Sequence, residues 1–290
     1  MASWISGLHP GSRLIYVLVV DDLSGLVSEW PVEWAAVGVT GAGAVLGTGG
    51  EPDRRTGIAS VSKLLVGVAA LVALEEETLS LDEPAGPSGS TVRHLLAHAS
   101  GLAFDSRRML AVPGRRRIYS NTGIEVFCAH LERRSGMPFA EYLQTGVLEP
   151  LGMRDTDLQG SPAHGVVSTV ADLMTFAREL LRPTLVTVET MADATRPQFP
   201  DLPGVLPGVG SFDPNPWGLT FEIRDDKKPH WTGRANSGPT FGHFGGSGSF
   251  LWVDPVADIA AASLSSRDFD RWAMVAWPEF SDQILARYRG

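Results

Sequence analysis

From Leu64 to Leu74 the chain reads Leu-Leu-Val-Gly-Val-Ala-Ala-Leu-Val-Ala-Leu, without one polar side chain. A helix that is apolar almost all round has no face to offer to water, so the rest of the fold has to be built around it. A chain of 290 residues, 43% of them hydrophobic, can supply a core of that size, either as one large domain or as two intimate subdomains. Global disorder is excluded on the same ground.

At the entrance to this segment stand Ser60 and Lys63, in Ile58-Ala-Ser60-Val-Ser-Lys63. Three residues apart, they share one helical face. Of the 24 basic residues, 21 are Arg and three are Lys, and the other two lysines form the pair Lys227 and Lys228. Arg keeps its proton in a protein, whereas a Lys in apolar surroundings gives it up more easily and can act as a base. The plain alternative makes Ser60 a helix cap and lays the Lys63 stem along the surface. Ser-x-x-Lys has an expected chance count of about 0.25 in a chain with 24 Ser and three Lys, so the pattern alone does not decide between the two.

Composition narrows the classes of function. The net charge of −9 and a pI near 5.3 oppose a nucleic-acid surface. The one basic run, Arg115 to Arg117, lacks interleaved aromatics and reads as a solvated loop next to Tyr119. Cys128 is the single cysteine, in an apolar helical stretch, and reads as an inert core thiol. Leu14 to Val20 is too short to span a membrane and lacks a basic leader, so it is expected to be a strand, with the cytoplasm as compartment.

Two strand-like pieces, Val32 to Thr40 and Ala44 to Thr48, flank Gly41-Ala-Gly43 as a hairpin. Helical patterns follow at Thr91 to His98, Asn121 to Arg134, Pro138 to Leu148 and Val170 to Leu181, the last with a capping box Thr169-x-x-Asp172. Residues Arg196 to Pro216, rich in Pro and Gly, read as a long surface loop or lid margin. Strand patterns resume at Trp217 to Arg224, Gly248 to Val253 and Ile259 to Leu264, and Phe269 to Tyr288 closes the chain as a helix. The expectation is an α+β chain, an antiparallel sheet from both chain ends flanked by helices, with a mostly helical subdomain inserted. As a single catalytic domain over residues 1–290, its sheet part is about 1–80 and 215–290 and its helical part about 81–214, with the cleft where they meet.

Two further motifs fit that cleft. Tyr119-Ser-Asn121 is the rarer, with about 0.04 Tyr-x-Asn matches expected from four Tyr and three Asn. A phenol near a lysine can be held as phenolate and pass a proton, and an adjacent amide can orient a carbonyl or the lysine. The plain reading makes Asn121 the cap of the helix that follows. His243-Phe-Gly245 is a cheap pattern, but its place in a glycine-rich strand lets a substrate approach closely and aims N–H groups at a developing oxyanion.

In order and spacing these three motifs resemble the serine hydrolase superfamily of class C β-lactamases, serine D-alanyl-D-alanine carboxypeptidases, D-aminopeptidases and family VIII esterases. So do Leu95-Leu-Ala-His-Ala-Ser-Gly-Leu102, Pro150-Leu-Gly-Met-Arg-Asp-Thr156, Gly165-Val-Val-Ser-Thr-Val-Ala-Asp-Leu173 and Leu251-Trp-Val-Asp-Pro255. The resemblance implies a β-lactamase/transpeptidase-like fold with no metal or cofactor. It implies Ser60 as acylated nucleophile, Lys63 as its base, Tyr119 as proton shuttle and Asn121 against the acyl group. His243 would take the third-motif Lys or His place ahead of Gly245, and the N–H groups of Ser60 and Gly246 would form the oxyanion hole.

The chain departs from that pattern at Phe244, where the superfamily's threonine hydroxyl helps bind a substrate carboxylate. Hydrophobic esters or amides are therefore expected in preference to penicillins or peptides ending in D-alanine. Gly245-Gly-Ser247-Gly-Ser249 fails the Gly-x-Ser-x-Gly pattern at its last position, which removes Ser247 as a rival nucleophile. The expected partner is a small ester, amide or lactam substrate, with no nucleic acid and no membrane span. The alternatives are a β-lactamase or D-amino-acid peptidase and, from another class, a non-catalytic ligand-binding module on the same scaffold.

Overall fold

The computed structural model describes residues 20–289. A seven-stranded sheet runs in the order Asp21–Asp22, Val45–Gly49, Ala35–Gly41, Ile259–Ser265, Ser249–Asp254, Phe241–Gly245, Glu222–Ile223. Both chain ends thus meet in one sheet, Ala35–Gly41 lying against Ile259–Ser265 from the Gly41/Ile259 pair to the Ala35/Ser265 pair. Every neighbouring pair is antiparallel except Asp21–Asp22 with Val45–Gly49, which is parallel, so the sheet is mixed.

Side-chain alternation divides the core in two. Along Ser249–Asp254, Leu251 and Val253 enter the cluster shared with the apolar helix. Phe250 and Trp252 face the other way, into a tryptophan-rich cluster with the closing helix Ala273–Tyr288. The apolar segment forms helix Ser62–Glu75, in which every residue from Ser62 to Ala73 is buried. It touches helices Asn121–Ser135, Phe139–Leu143 and Val188–Thr195 and the strand Phe241–Gly245. At Gly67 a Cβ would lie 2.2 Å from Thr220 Oγ1, so only glycine lets that loop cross the helix so closely.

Helix Val170–Leu181 forms over the expected residues, with Thr169 Oγ1 accepting from the Asp172 N–H at 3.1 Å. Pro138 to Leu148 is α-helical only over Phe139–Leu143 and continues as a π-helix over Gln144–Leu148. The strand expected from Trp217 to Arg224 shrinks to Glu222–Ile223. There Gly218 N–H bonds to the Phe221 carbonyl and Thr220 takes φ +70, closing a tight turn, while Thr220 N–H donates to the Leu96 carbonyl. The 196–216 stretch holds a short hairpin, Gly204–Leu206 with Gly210–Phe212. The strand expected over Leu14 to Val20 lies outside the described residues except for Val20. No helix among the described residues is long and apolar enough to cross a membrane.

Candidate active site

Ala59 sits at φ +45, a conformation that L residues with a side chain seldom adopt. From this bend Ser60 enters the 3₁₀ turn Ala59–Val61 ahead of the buried helix. Its hydroxyl does not cap the helix. Oγ lies 2.8 Å from Tyr119 Oη and 3.2 Å from Lys63 Nζ.

Lys63 is fully buried, and its Nζ also lies 2.7 Å from Asn121 Oδ1 and 2.7 Å from the Ala163 carbonyl. Desolvation pushes its pKa down to about 7, against the opposing pull of Asp105 and Glu125. As a free amine it has two N–H bonds to give, and Asn121 and Ala163 accept them, which leaves its lone pair for the Ser60 hydroxyl. Lys227 supplies the contrast. It too is buried, not a surface residue paired with Lys228, and it is bonded to the Glu222 carboxylate, which also accepts from His230 and Trp231. Of the two buried lysines, Lys63 alone has no carboxylate in contact among the described residues.

Helix Asn121–Ser135 is capped by Ser120, whose Oγ accepts from the Gly123 N–H at 2.9 Å. Asn121 is therefore free of capping duty, and its amide spans Lys63 and Asp105, donating to Asp105 Oδ1 at 2.8 Å. Tyr119 departs from the sequence expectation. Burial raises its pKa, so the neutral phenol, not a phenolate, is favoured, and it donates to Ser60 Oγ.

His243 lies beside Tyr119, with ring centroids 5.6 Å apart. Its Nδ1–H donates to the Phe244 carbonyl at 2.6 Å, so Nε2 is an acceptor, buried and without a partner among the described residues. Burial, with Lys63 nearby, pushes its pKa down to about 3, so it cannot supply the positive charge of a third-motif lysine. Gly245 packs on the turn that carries the nucleophile, where a Cβ would meet the Ile58 carbonyl at 2.6 Å and Ala59 Cβ at 2.9 Å. Gly246 follows, exposed. Ser247 and Ser249 donate to the Gly57 and Ile58 carbonyls and tie this strand to the same turn. Phe244 points away from His243, into the cluster of Trp231, Phe269 and Trp277, and so contributes no apolar wall to the site.

Sequence reasoning missed several neighbours. His98 stacks 4.7 Å from Tyr119 and accepts from the Ser120 N–H through Nδ1. Trp217 packs on His98, Tyr119 and His243. Only the place of His98 inside Leu95 to Leu102 signalled it. Arg117, expected in a solvated loop, is buried and donates to the carbonyls of Ala97, Gln198, Phe199 and Asn215. Cys128 is buried, with its thiol pKa raised, as an inert thiol should be.

Beside Tyr119 opens a cavity of about 430 Å³, walled by Phe104, Leu110, Ile118, Val205 and Pro207, with Arg116 at its edge. Phe104 stacks on the Tyr119 ring at 5.8 Å. A nucleophile, a tunable amine and a phenol donor are thus contiguous, the arrangement acyl transfer requires, and the apolar cavity adjoins them through Tyr119.

Known proteins carry the same architecture. A crystal structure of a beta-lactamase from Mycobacterium bovis is 55% identical, with a TM-score of 0.90 over 92% of this chain and 99% of that one. Penicillin-binding protein 4* of Bacillus subtilis is 27% identical over 34% of this chain. The carboxypeptidase/endopeptidase AmpH of Escherichia coli is 24% identical over 38% of it. The matched stretches cover 29% and 38% of those two curated relatives. With the Beta-lactamase family model matching residues 32–284, nearly the whole described fold and all three motifs, the chain belongs to the Beta-lactamase family of serine hydrolases.

Proposed function

We propose that the chain hydrolyses a small, apolar ester or amide through an acyl-enzyme on Ser60. The observation that carries this reading is the bonding at Ser60 Oγ, held between the Tyr119 phenol and an amine whose pKa is about 7. Oγ attacks the substrate carbonyl carbon while its proton passes to Lys63 Nζ. The oxyanion that forms takes N–H bonds from Ser60 and Gly246. Collapse breaks the bond to the leaving group, which receives a proton from the Tyr119 hydroxyl, and the proton held on Lys63 restores the phenol. Water then enters where the leaving group stood and the same relay runs in reverse, releasing the acid and Ser60. Asn121 and the Ala163 carbonyl keep Nζ aimed, so they position the base.

The preference for an apolar acyl group rests on the cavity beside Tyr119 and on a neutral His243. A second reading, turnover of β-lactams or D-amino-acid peptides, is favoured by the name of the 55% identical relative and by Arg116, a cation at the cavity edge able to pair with a substrate carboxylate. Intact-mass spectrometry after a fluorophosphonate probe tests the nucleophile: one adduct on wild type, none on Ser60→Ala. Rates on p-nitrophenyl butyrate, ampicillin and D-alanyl-D-alanine then separate the readings, the butyrate ester being fastest here. Faster ampicillin or dipeptide turnover hands the site to the second reading, and absence of any adduct or product makes the fold a binding module.

A further inference from the structure

Nine large hydrophobic side chains are exposed among the described residues, and five of them belong to the cavity or to the stretch that carries it: Phe104, Leu110 and Val205 line it, and Met109 and Val112 flank Leu110 on the same stretch. Their exposure runs from 42% at Met109 to 70% at Val112. The other four, Val20, Val188, Val256 and Val275, lie singly on separate parts of the chain. The same short stretch, residues 101–118, exposes four arginines, Arg107, Arg108, Arg115 and Arg116. None of the four forms an ion pair among the described residues. Its one acid, Asp105, is engaged by Asn121.

This collar is held in place. Ala103 N–H bonds to the Arg108 carbonyl and Leu110 N–H to the Gly101 carbonyl, closing a hairpin, and the Asn121 N–H donates to the Phe104 carbonyl. A chain of net charge −9 therefore presents, along one stretch beside this opening, exposed side chains that are both apolar and cationic, Arg116 lining the opening itself and Arg107 a neighbouring cavity.

We propose that this collar docks on an anionic lipid surface, the arginines meeting headgroups and the apolar side chains entering the interfacial layer, so that an ester substrate passes from lipid into the cavity beside Tyr119. Charge complementarity selects the partner: exposed hydrophobics interleaved with unpaired arginines match the two layers of an anionic membrane face. The route of the substrate rests on the hydrolase reading above, while docking itself is measured without turnover.

The test is co-sedimentation with vesicles of phosphatidylcholine, with and without an equal part of phosphatidylglycerol. Wild type and Ser60→Ala are expected to sediment alike with the anionic vesicles, not with the neutral ones, and to be released by high salt. The combined variant R107E/R108E/R115E/V112D is expected to partition at least about ten-fold more weakly, with its melting temperature and its p-nitrophenyl butyrate rate unchanged. No sedimentation with anionic vesicles, or sedimentation that the variant does not weaken, overturns the proposal. Binding to soluble polyglutamate as tight as to the vesicles also overturns it and assigns the arginines to an acidic protein.

Discussion

Lys63 shows how one amine can be both buried and useful. Its pKa near 7 comes from desolvation, and the carboxylates Asp105 and Glu125 keep it from falling further. If the free amine is the base, kcat/KM on a soluble ester climbs as pH rises through about 7 and then levels. Asp105→Asn removes one charge that favours the ammonium form, so the acid limb moves to lower pH, by about half a unit to one unit. A pH–rate profile of the two proteins checks both sign and size, and a limb that stays put removes Asp105 from the electrostatics of the base. Lys63→Arg, which cannot shed its proton, is expected to lose activity about 10³-fold or more. The pairing of Ser60 with Lys63 was legible because helical spacing fixes it. The carbonyl of Ala163 was not, since a backbone acceptor 100 residues away leaves no mark in side-chain identity. The phenolate expected at Tyr119 failed for a related reason: spacing places a phenol near an amine but does not reveal how dry the place is.

At the scale of elements, the strand Phe241–Gly245 illustrates what a motif can and cannot tell. Its period of two puts His243 and Gly245 toward the nucleophile and Phe244 on the opposite face. The motif located the strand, whereas the destination of the middle side chain depended on Trp231, Phe269 and Trp277, contributed by other segments. Restoring the superfamily residue by Phe244→Thr is therefore expected to cost about 2–4 kcal/mol of stability through the emptied volume, with no gain in ampicillin turnover. Denaturant unfolding and a lactam assay measure the two effects, and a gain in lactam turnover would show that position 244 can reach the substrate. Helices read well where caps and periodicity agreed, as at Thr169 and Val170–Leu181. The segment after Trp217 read badly because its apolar run folds into a turn that sets Thr220 against Gly67, a contact between residues 153 apart in the chain.

For the whole molecule, Arg117 joins parts that sequence kept apart. Its guanidinium ties the carbonyls of Gln198, Phe199 and Asn215 in the long Pro-rich stretch to Ala97 in the helical part. Arg117→Leu strands the buried carbonyls of Ala97, Gln198 and Asn215 and is expected to destabilise the fold by about 3–5 kcal/mol, read as a lower melting temperature. Activity is expected to fall as well, because Val205 and Pro207 of that stretch wall the cavity. An α+β plan with both chain ends in one sheet was visible from the order of strand and helix patterns, whereas the inward turn of one arginine among three was not. The wide spacing of the site along the chain, from Ser60 through Tyr119 and Ala163 to His243, also governs when the protein becomes reactive. During synthesis the nucleophile emerges ahead of the rest of the site, but Lys63 then stands in water at its ordinary pKa of 10.5, protonated and unable to activate a serine. The amine loses its water only once Asn121, the Ala163 segment and the strand Phe241–Gly245 have packed on its helix. The nucleophile is thus inert in an unfinished or unravelled chain and is armed only by completion of the fold.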